Sequence, residues 1–335
     1  MLRYTAPLWE RTRGRRIFLA GGTGFFGAWL VESFAHCNRS LGLGARMTVL
    51  SRAPERFLER MPHLKGESAL EFAQGDVRAF AFPEGGFDFV VHGATSTSLD
   101  AARRPEELRS VLVDGTARMI AFARQCGAKA FLLTSSGAVY GRQPVEVAEI
   151  PEEYDDGPVW NNADDVYAEG KRASERMCAE FARETGVQCV LARCFAFVGP
   201  HLPLNQHFAI GNFIGDALAG RDIVVKGDGR PARSYLYAAD LAVWLWTMLL
   251  RAAETPGNPA VYNVGSAKAV SIGALAETVR DELNPRIEVR IEGDGSIGVS
   301  RSRYVPDVRK AEKELGLRAW IELSEAIRRT AAWHG

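Results

Sequence analysis

Arg15-Arg16-Ile17-Phe18-Leu19-Ala20 runs directly into Gly21-Gly22-Thr23-Gly24-Phe25-Phe26-Gly27, and this junction limits the fold more than any other stretch. The apolar run is short and ends in glycine, which predicts a buried strand; residues 24–40 then carry helical periodicity through Phe26, Leu30, Val31 and Phe34. A strand, a G-x-x-G-x-x-G turn and a helix in succession are the opening of a βαβ unit. Glycine there permits a tight turn, close approach of backbone to a pyrophosphate, and close packing of helix on strand. The helix N-terminus then faces the phosphate charge. Gly21, Thr23, Gly24, Phe25, Phe26 and Gly27 are therefore the first candidate dinucleotide-binding residues.

The alternation continues. Met47–Leu50, Phe87–His92, Ala130–Thr134 and Gln188–Ala192 read as strands, with helical segments near 102–126 and 163–185 between them. This order predicts an α/β chain with a doubly wound parallel-sheet Rossmann domain. After Gly199-Pro200 turn-rich segments dominate (GDGRPAR, AETPGNPA, EGDGSIG), broken by one strong helix at 239–253. We expect residues 1–196 plus about 234–264 to form the NAD(P)-binding domain. Residues 197–233 plus 265–335 would form a smaller mixed α/β substrate lobe.

The end of the second strand usually reads the adenosine ribose, where a carboxylate repels a 2′-phosphate. Ser51-Arg52 stands there instead, a hydroxyl and a guanidinium suited to phosphate. This favours NADP(H) over NAD(H); the competing reading makes Ser51 the cap of a helix beginning near Pro54. Asp76 and Val77 are expected at the adenine pocket, and Gly93, Ala94 and Thr95 at the end of the next strand, facing the cofactor.

Tyr167 and Lys171 lie four apart on a predicted helix, hence on one face. A lysine ammonium beside a phenol favours the phenolate and lowers the tyrosine pKa towards the working pH. That suits Tyr167 to pass a proton to or from a sugar oxygen while hydride moves. The third candidate is Ser136, in TSSGAVYG (134–141), whose hydroxyl would hold the same oxygen; Ser135 is its immediate rival.

GGTGFFG, TSSGAVYG and YAEGK, in this order, resemble the extended short-chain dehydrogenase/reductase family, and more narrowly its NAD(P)-dependent nucleotide-sugar epimerase/dehydratase group. The likeness extends through ARCFAFVGP (192–200), KGDGRPARSYLYAAD (226–240), Tyr262–Gly265 and DVRKAEKELGL (307–317), nearly the whole chain from Arg15. The resemblance implies a nucleotide-sugar substrate, with Arg233 on its diphosphate and hydride transfer at the sugar, most often at C4. It also implies a homodimer through the helices near 102–126 and 163–185.

Three departures stand out. Ala196 replaces an asparagine that in relatives touches the nucleotide sugar. Leu112 replaces an asparagine shortly before Gly115-Thr116, which breaks an Asn-Ser-Tyr-Lys tetrad. The first arginine of a late R-P-G motif has no clear match, with Arg301 and Arg303 as nearby substitutes.

Dehydratases of this group carry an Asp-Glu pair directly after the catalytic hydroxyl residue, and decarboxylases of UDP-glucuronate typically an acid. Here Gly137 and Ala138 fill those places. A 4,6-dehydratase and a decarboxylase are thus disfavoured. A 4-ketoreductase using exchangeable NADPH is favoured, with a 4-epimerase holding NAD as the close alternative. A non-catalytic dinucleotide-binding regulator is the remaining class, opposed by the retained Ser136, Tyr167 and Lys171.

Composition narrows the partners further. The 335 residues carry 41 Lys+Arg and 41 Asp+Glu, so net charge gives no argument for nucleic acid or an anionic membrane. The first residues hold charges and proline rather than an apolar segment, which argues against a secretory leader, and no run of about 20 apolar residues is present. Five cysteines, without a CxxC, read as reduced thiols in a cytoplasmic protein. No cluster has metal-ligand spacing. His201 and His207 are not assigned a role.

Overall fold

The computed structural model describes residues 2–95, 103–144, 146–154, 166–206, 208–252, 259–293 and 302–335. The chain divides into two compact units. The first is Met1–Val139, Asn162–Arg193 and Ala242–Tyr262; the second is Tyr140–Asn161, Cys194–Leu241 and Asn263–Gly335.

In the first unit, strands β1 (Arg16–Ala20), β2 (Arg46–Ser51), β3 (Leu70–Gln74), β4 (Phe89–His92), β5 (Ala130–Ser136), β6 (Gln188–Cys194) and β11 (Ala260–Val264) form one seven-stranded sheet. Its order is β11-β6-β5-β4-β1-β2-β3, and β1 pairs in parallel with both β2 and β4. The chain moves outward from β1 through α2 (Phe25–Leu41) to β2, then crosses back to β4 and continues the other way through α4 (Pro105–Cys126) to β5. Right-handed crossovers in opposite directions put α2 and α4 on opposite faces. This is the doubly wound Rossmann arrangement expected from the sequence, and its topological switch lies between the C-terminal ends of β1 and β4.

Both faces are covered because β1 is apolar after Arg16: Ile17, Phe18, Leu19 and Ala20 are all buried. Alternation sends Phe18 and Ala20 to one side, where they share a core with Met119, Phe122 and Ala123 of α4 and with Cys178 and Phe181 of α5 (Val166–Thr185). Phe18 sits 4.4 Å from the Phe122 ring and 5.4 Å from the Phe80 ring, centroid to centroid. Each such ring contributes roughly 1.5–3 kcal/mol when fully buried. The elements not expected from sequence include two that shape this unit. One is the edge strand β3, with its pattern of half-exposed residues. The other is helix α1 (Leu2–Trp9), which buries Trp9 4.9 Å from the Trp246 ring. Trp246 also donates its Nε1–H to Ser33 Oγ of α2. Trp244 and Trp246 are core residues of α7 (Ala238–Ala252), as expected.

The second unit holds only short strands among its described residues. β7 (Phe197–Val198) pairs in parallel with β10 (Leu236–Tyr237), and β9 (Ala232–Arg233) lies between β12 (Val270–Ser271) and β14 (Arg303–Tyr304). β8 (Ile223–Val225) pairs in parallel with β13 (Val289–Ile291). Helices α6 (Ala209–Leu218), α8 (Ile272–Leu283) and α10 (Leu323–His334) pack together, and the short α9 (Arg309–Leu315) precedes the last of them. Buried Asn263 accepts from Tyr140 Oη and donates to the carbonyls of Ile150 and Asp307, joining three segments of this unit.

Among the described residues no helix is long and apolar enough to cross a membrane, and no His/Cys/Asp/Glu cluster is placed to hold a metal. All five cysteines are buried and free.

Candidate active site

The glycine turn sits at the switch point. Gly21 has φ +85°, and a Cβ there would lie 2.4 Å from the Gly93 carbonyl carbon. A Cβ on Gly27 would meet the Gly21 carbonyl oxygen at 2.2 Å. These two glycines are required by the protein's own backbone, which packs the β1 turn onto the β4 end and onto α2. Gly24 is different: its backbone is extended, and a Cβ there would meet only the Gly21 oxygen, at 3.7 Å. Nothing in the described fold demands glycine at 24, so the space it leaves is a cradle open to a ligand. Gly24 is also the N-cap of α2 and makes no side-chain cap bond, so the positive end of the helix dipole faces the turn uncapped by a side chain. Thr95 Oγ1, beyond the end of β4, is buried without a partner among the described residues. These features fit a dinucleotide pyrophosphate.

At the end of β2, Ser51 Oγ accepts from the Ala53 amide at 3.2 Å and lies 3.3 Å from Thr23 Oγ1. The cap reading for Ser51 is not what the fold uses: α3 (Pro54–Arg60) has Ala53 at its N-cap, without a side-chain cap bond. Arg52 is exposed, and Arg60 Nη2 donates to the Thr23 carbonyl at 2.9 Å. Arg60 was missed in the sequence because a basic residue at the end of a helix reads as ordinary surface. The Asp76 carboxylate is held by the Arg78 guanidinium through two 2.8 Å bonds, which keep it ionised with a pKa lowered to about 2. Val77 turns its side chain into the core, against Gly115. Gly93 donates its amide to the Ala20 carbonyl at 2.8 Å, tying β4's end to β1's.

Strand β5 presents Thr134, Ser135 and Ser136, all buried. Alternation separates the two candidate serines. Ser135 donates its hydroxyl to Glu175 on α5, whose carboxylate pairs with Arg193 of β6 through Nε at 3.0 Å and Nη2 at 2.8 Å. Ser136 Oγ accepts from the Ala138 amide at 3.1 Å, in the 3-10 turn Gly137–Tyr140. That turn carries no acid.

Helix α5 brings Tyr167 and Lys171 to the same strand. Lys171 is buried, its Nζ lies 5.8 Å from the centre of the Tyr167 ring, and it donates to the Thr134 carbonyl at 2.7 Å. The ammonium thus sits between the phenol and the strand that carries Ser136. Gly170 lets α4 come close, since a Cβ there would fall 2.5 Å from Leu112 Cδ1. Leu112 therefore offers its side chain to packing and only its carbonyl to polar groups, accepting from Thr116 Oγ1 at 2.6 Å and Ser174 Oγ at 2.9 Å. His92, at the end of β4, is buried with Nε2 3.0 Å from Thr116 Oγ1, and its Nδ1 has no partner among the described residues. Burial, and secondarily the Lys171 charge, hold its pKa down at about 3, so it is neutral.

In the second unit, Arg233 donates to the Ala232 carbonyl at 2.9 Å and to Ser302, and its guanidinium lies 5.9 Å from the Tyr304 ring centre. Burial pushes its pKa down, and among the described residues no carboxylate pairs with it. A largely buried guanidinium without a counter-ion favours an anionic ligand. His201 takes a positive φ of 72° and sets its ring edge-on to that of Trp333, with centroids 4.6 Å apart. Arg303 donates Nε to the Ala148 carbonyl, and Ala196 accepts at its carbonyl from the Leu236 amide. His207 and Arg301 lie outside the described residues.

The sequence profile of the NAD dependent epimerase/dehydratase family matches residues 17–265. The chain belongs to this family. Among curated proteins it is similar to UDP-glucuronic acid decarboxylase 5 of Arabidopsis thaliana, 29% identical over 321 residues, covering 93% of this chain and 87% of the relative. Among solved structures it is similar to a UDP-galactose 4-epimerase, with TM-score 0.75 and 26% identity over 95% of this chain and 98% of the other. The dTDP-glucose 4,6-dehydratase of Bacillus anthracis in complex with NAD shares the fold, with TM-score 0.75 and 17% identity over 96% of each chain. As a family member the chain is an enzyme of the NAD-dependent epimerase/dehydratase type.

Proposed function

We propose that this enzyme transfers hydride at C4 of a nucleotide-linked hexose, with Ser136, Tyr167 and Lys171 as its catalytic residues. The net reaction in this reading is reduction of a 4-keto sugar by NADPH. Pyrophosphate would rest on the backbone of Gly21, Thr23, Gly24, Phe25, Phe26 and Gly27. The adenosine end would meet Ser51 and Arg52, with Arg60 beside them, and then Asp76 and Val77. Gly93, Ala94 and Thr95 would line the route towards the sugar. Bound there, the dinucleotide supplies the hydride. Tyr167 gives its proton to the keto oxygen, Ser136 holds that oxygen by a hydrogen bond, and Lys171 stabilises the phenolate left behind.

The observation that weighs against dehydration is the acid-free turn Gly137–Tyr140 beside Ser136, and Ser51-Arg52 at the end of β2 carries the choice of reduction over epimerisation. Loss of a C6 hydroxyl needs a group to protonate it, and neither Gly137 nor Ala138 has one. The same lack weighs against the decarboxylation named for the curated relatives. Two guanidiniums near the end of β2, from Arg52 and Arg60, support NADPH over NADH. The second reading is a 4-epimerase with retained NAD, which uses the same three residues and is favoured by the likeness to the UDP-galactose 4-epimerase. A non-catalytic regulator is the least supported, because Ser136, Tyr167 and Lys171 are all kept.

We assign nucleotide-sugar diphosphate binding to Arg233. Cofactor binding falls to 1–196 with about 234–264, and the sugar lobe to 197–233 with 265–335. Pairing through α4 and α5 would give a homodimer, and five free buried thiols suit a reducing cytoplasm. The test is NADPH absorbance on incubation with UDP- and dTDP-linked 4-keto-6-deoxyhexoses, with product stereochemistry read by NMR. Stoichiometric NADPH oxidation is expected. Retention of one NAD+ per chain through gel filtration, with interconversion of 4-epimers, would overturn the reductase in favour of the epimerase.

A further inference from the structure

Arg233 is a cation that the second unit aims without neutralising. Its Nη1 donates to the Ala232 carbonyl at 2.9 Å and to the Ser302 carbonyl at 3.3 Å, and both Nη atoms reach Ser302 Oγ at 3.4 Å. The Tyr304 ring centre lies 5.9 Å from the guanidinium, within reach of a cation–π contact. Carbonyls, a hydroxyl and a ring orient the group and leave its charge in place. Among the described residues no acidic side chain acts on it; the charged groups it feels are the phenols of Tyr235 and Tyr304.

The residues that follow carry the pattern further. Ser234 and Leu236 are fully buried, whereas Arg233 and Tyr235 are half-buried. Alternation of this kind sets Arg233 and Tyr235 on one side of the chain, about 7 Å apart along it. The Arg233 charge favours a phenolate at Tyr235, but burial outweighs it and pushes the phenol up to about 12. Near neutral pH Tyr235 therefore keeps its proton. It is no counter-ion for Arg233, and it stands beside the cation as an O–H donor.

We infer that Tyr235 is a second donor to the anionic group that Arg233 binds, so that a nucleoside diphosphate is held by a charged and a neutral donor side by side. This rests on the proposed role of Arg233. The two groups do different work. A guanidinium attracts any anion from a distance, whereas an uncharged phenol adds nothing at long range and donates only along its own O–H. Tyr235 thus selects how the diphosphate lies once Arg233 has drawn it in, and a diphosphate has acceptor oxygens on two phosphorus atoms, enough for both. The late arginine motif bears on this, because Arg303 spends its Nε on the Ala148 carbonyl. A donor from the Arg233 segment itself then supplements the one guanidinium.

The test measures binding of UDP, dTDP, GDP and CDP to the intact protein by isothermal titration. Losing a hydrogen bond to a charged partner raises Kd about tenfold or more. Tyr235→Phe should show that rise for every diphosphate that binds, keep the order of preference among the four, and melt within about 2 °C of wild type. A Kd within twofold of wild type overturns the inference. So does a changed order among the four, which would put Tyr235 against the base. A second measurement places 3-fluorotyrosine at position 235 alone and follows its 19F resonance. The signal should shift with the preferred diphosphate and stay in place with the matching nucleoside, and no shift at saturating diphosphate overturns the inference without any loss of side chain. Arg233→Met tests the underlying reading: binding unchanged there, or absent for all four in wild type, removes both proposals. Binding lost in Arg233→Met and intact in Tyr235→Phe removes this one alone.

Discussion

Gly24→Ala separates what the glycine turn does for the fold from what it does for a ligand. The backbone at Gly24, with φ −85° and ψ −173°, is open to any residue, and the added methyl would have 3.7 Å of clearance from the nearest protein atom. The cost to stability is then only the weaker N-cap preference of alanine, about 0.5–1 kcal/mol. For a chain of this size that is a fall of about 1 °C in Tm. Gly21→Ala instead forces a side chain into φ +85° and 2.4 Å from the Gly93 backbone, and Gly27→Ala drives one to 2.2 Å from the Gly21 oxygen. Left-handed strain of about 1–2 kcal/mol and overpacking of about 1–3 kcal/mol apply there, so stability and binding should fail together. In Gly24→Ala only binding should fail. The methyl occupies the cradle read as the pyrophosphate seat, and a ten- to hundredfold rise in Kd corresponds to about 1.4–2.8 kcal/mol. Thermal unfolding by circular dichroism and a fluorescence titration with NADPH measure the two effects on one sample. A Gly24→Ala protein that binds NADPH and NAD+ within twofold of wild type would refute the assignment of the cradle. A Tm loss matching that of Gly21→Ala would refute the claim that position 24 is free of the fold.

Arg60→Ala should raise the Kd for NADPH about tenfold and leave that for NADH unchanged, as expected of a guanidinium on a 2′-phosphate. Equal losses for both cofactors in isothermal titration would reduce Arg60 to a brace for the Thr23 carbonyl. Gly170→Ala should cost about 1–3 kcal/mol in urea unfolding, because its Cβ meets Leu112 Cδ1 at 2.5 Å, and Leu112→Ala in the same chain should recover part of it. Strict additivity of the two changes would mean that the helices do not meet there. His92 is neutral in the folded state with a pKa near 3, against 6.5 for an exposed histidine, so the unfolded chain takes up a proton that the folded chain refuses. Its contribution is whole above pH 6.5 and is lost as pH falls from there towards 3. His92→Asn should flatten the stability–pH curve in that window, and an unchanged slope would show that other groups govern acid unfolding.

The legible parts of this molecule were those where chemistry and spacing coincide within a few residues. A strand, a glycine turn and a helix follow one another in IFLAGGTGFFG, and Tyr167 and Lys171 share a helix face by spacing alone. Contacts made over long separations were not legible. Trp9 and Trp246 lie at opposite ends of the chain's first unit in sequence, so nothing local marks α1 as part of the core. Strand β3 is half-exposed at the sheet edge, where the apolar run that betrays a central strand is absent. Ser135 and Ser136 differ only in which face of β5 they occupy, and that parity is set by pairing across the sheet. Glu175 was open to detection, since it stands four residues beyond Lys171 on the same face, but its partner Arg193 is on another element.

At Leu112 the side chain serves packing and the carbonyl serves hydrogen bonding. The family likeness led us to expect an amide at this position; the leucine fills the gap over Gly170, and its carbonyl takes the hydroxyls of Thr116 and Ser174. Lys171 is oriented by the Thr134 carbonyl, which belongs to the strand that ends in Ser136. If Ser136, Tyr167 and Lys171 act as proposed, a shift of β5 relative to α5 would move Ser136 and the ammonium together. Glu175, accepting from Ser135, holds the same strand a second time, so β5 and α5 are tied at two successive residues, Thr134 and Ser135.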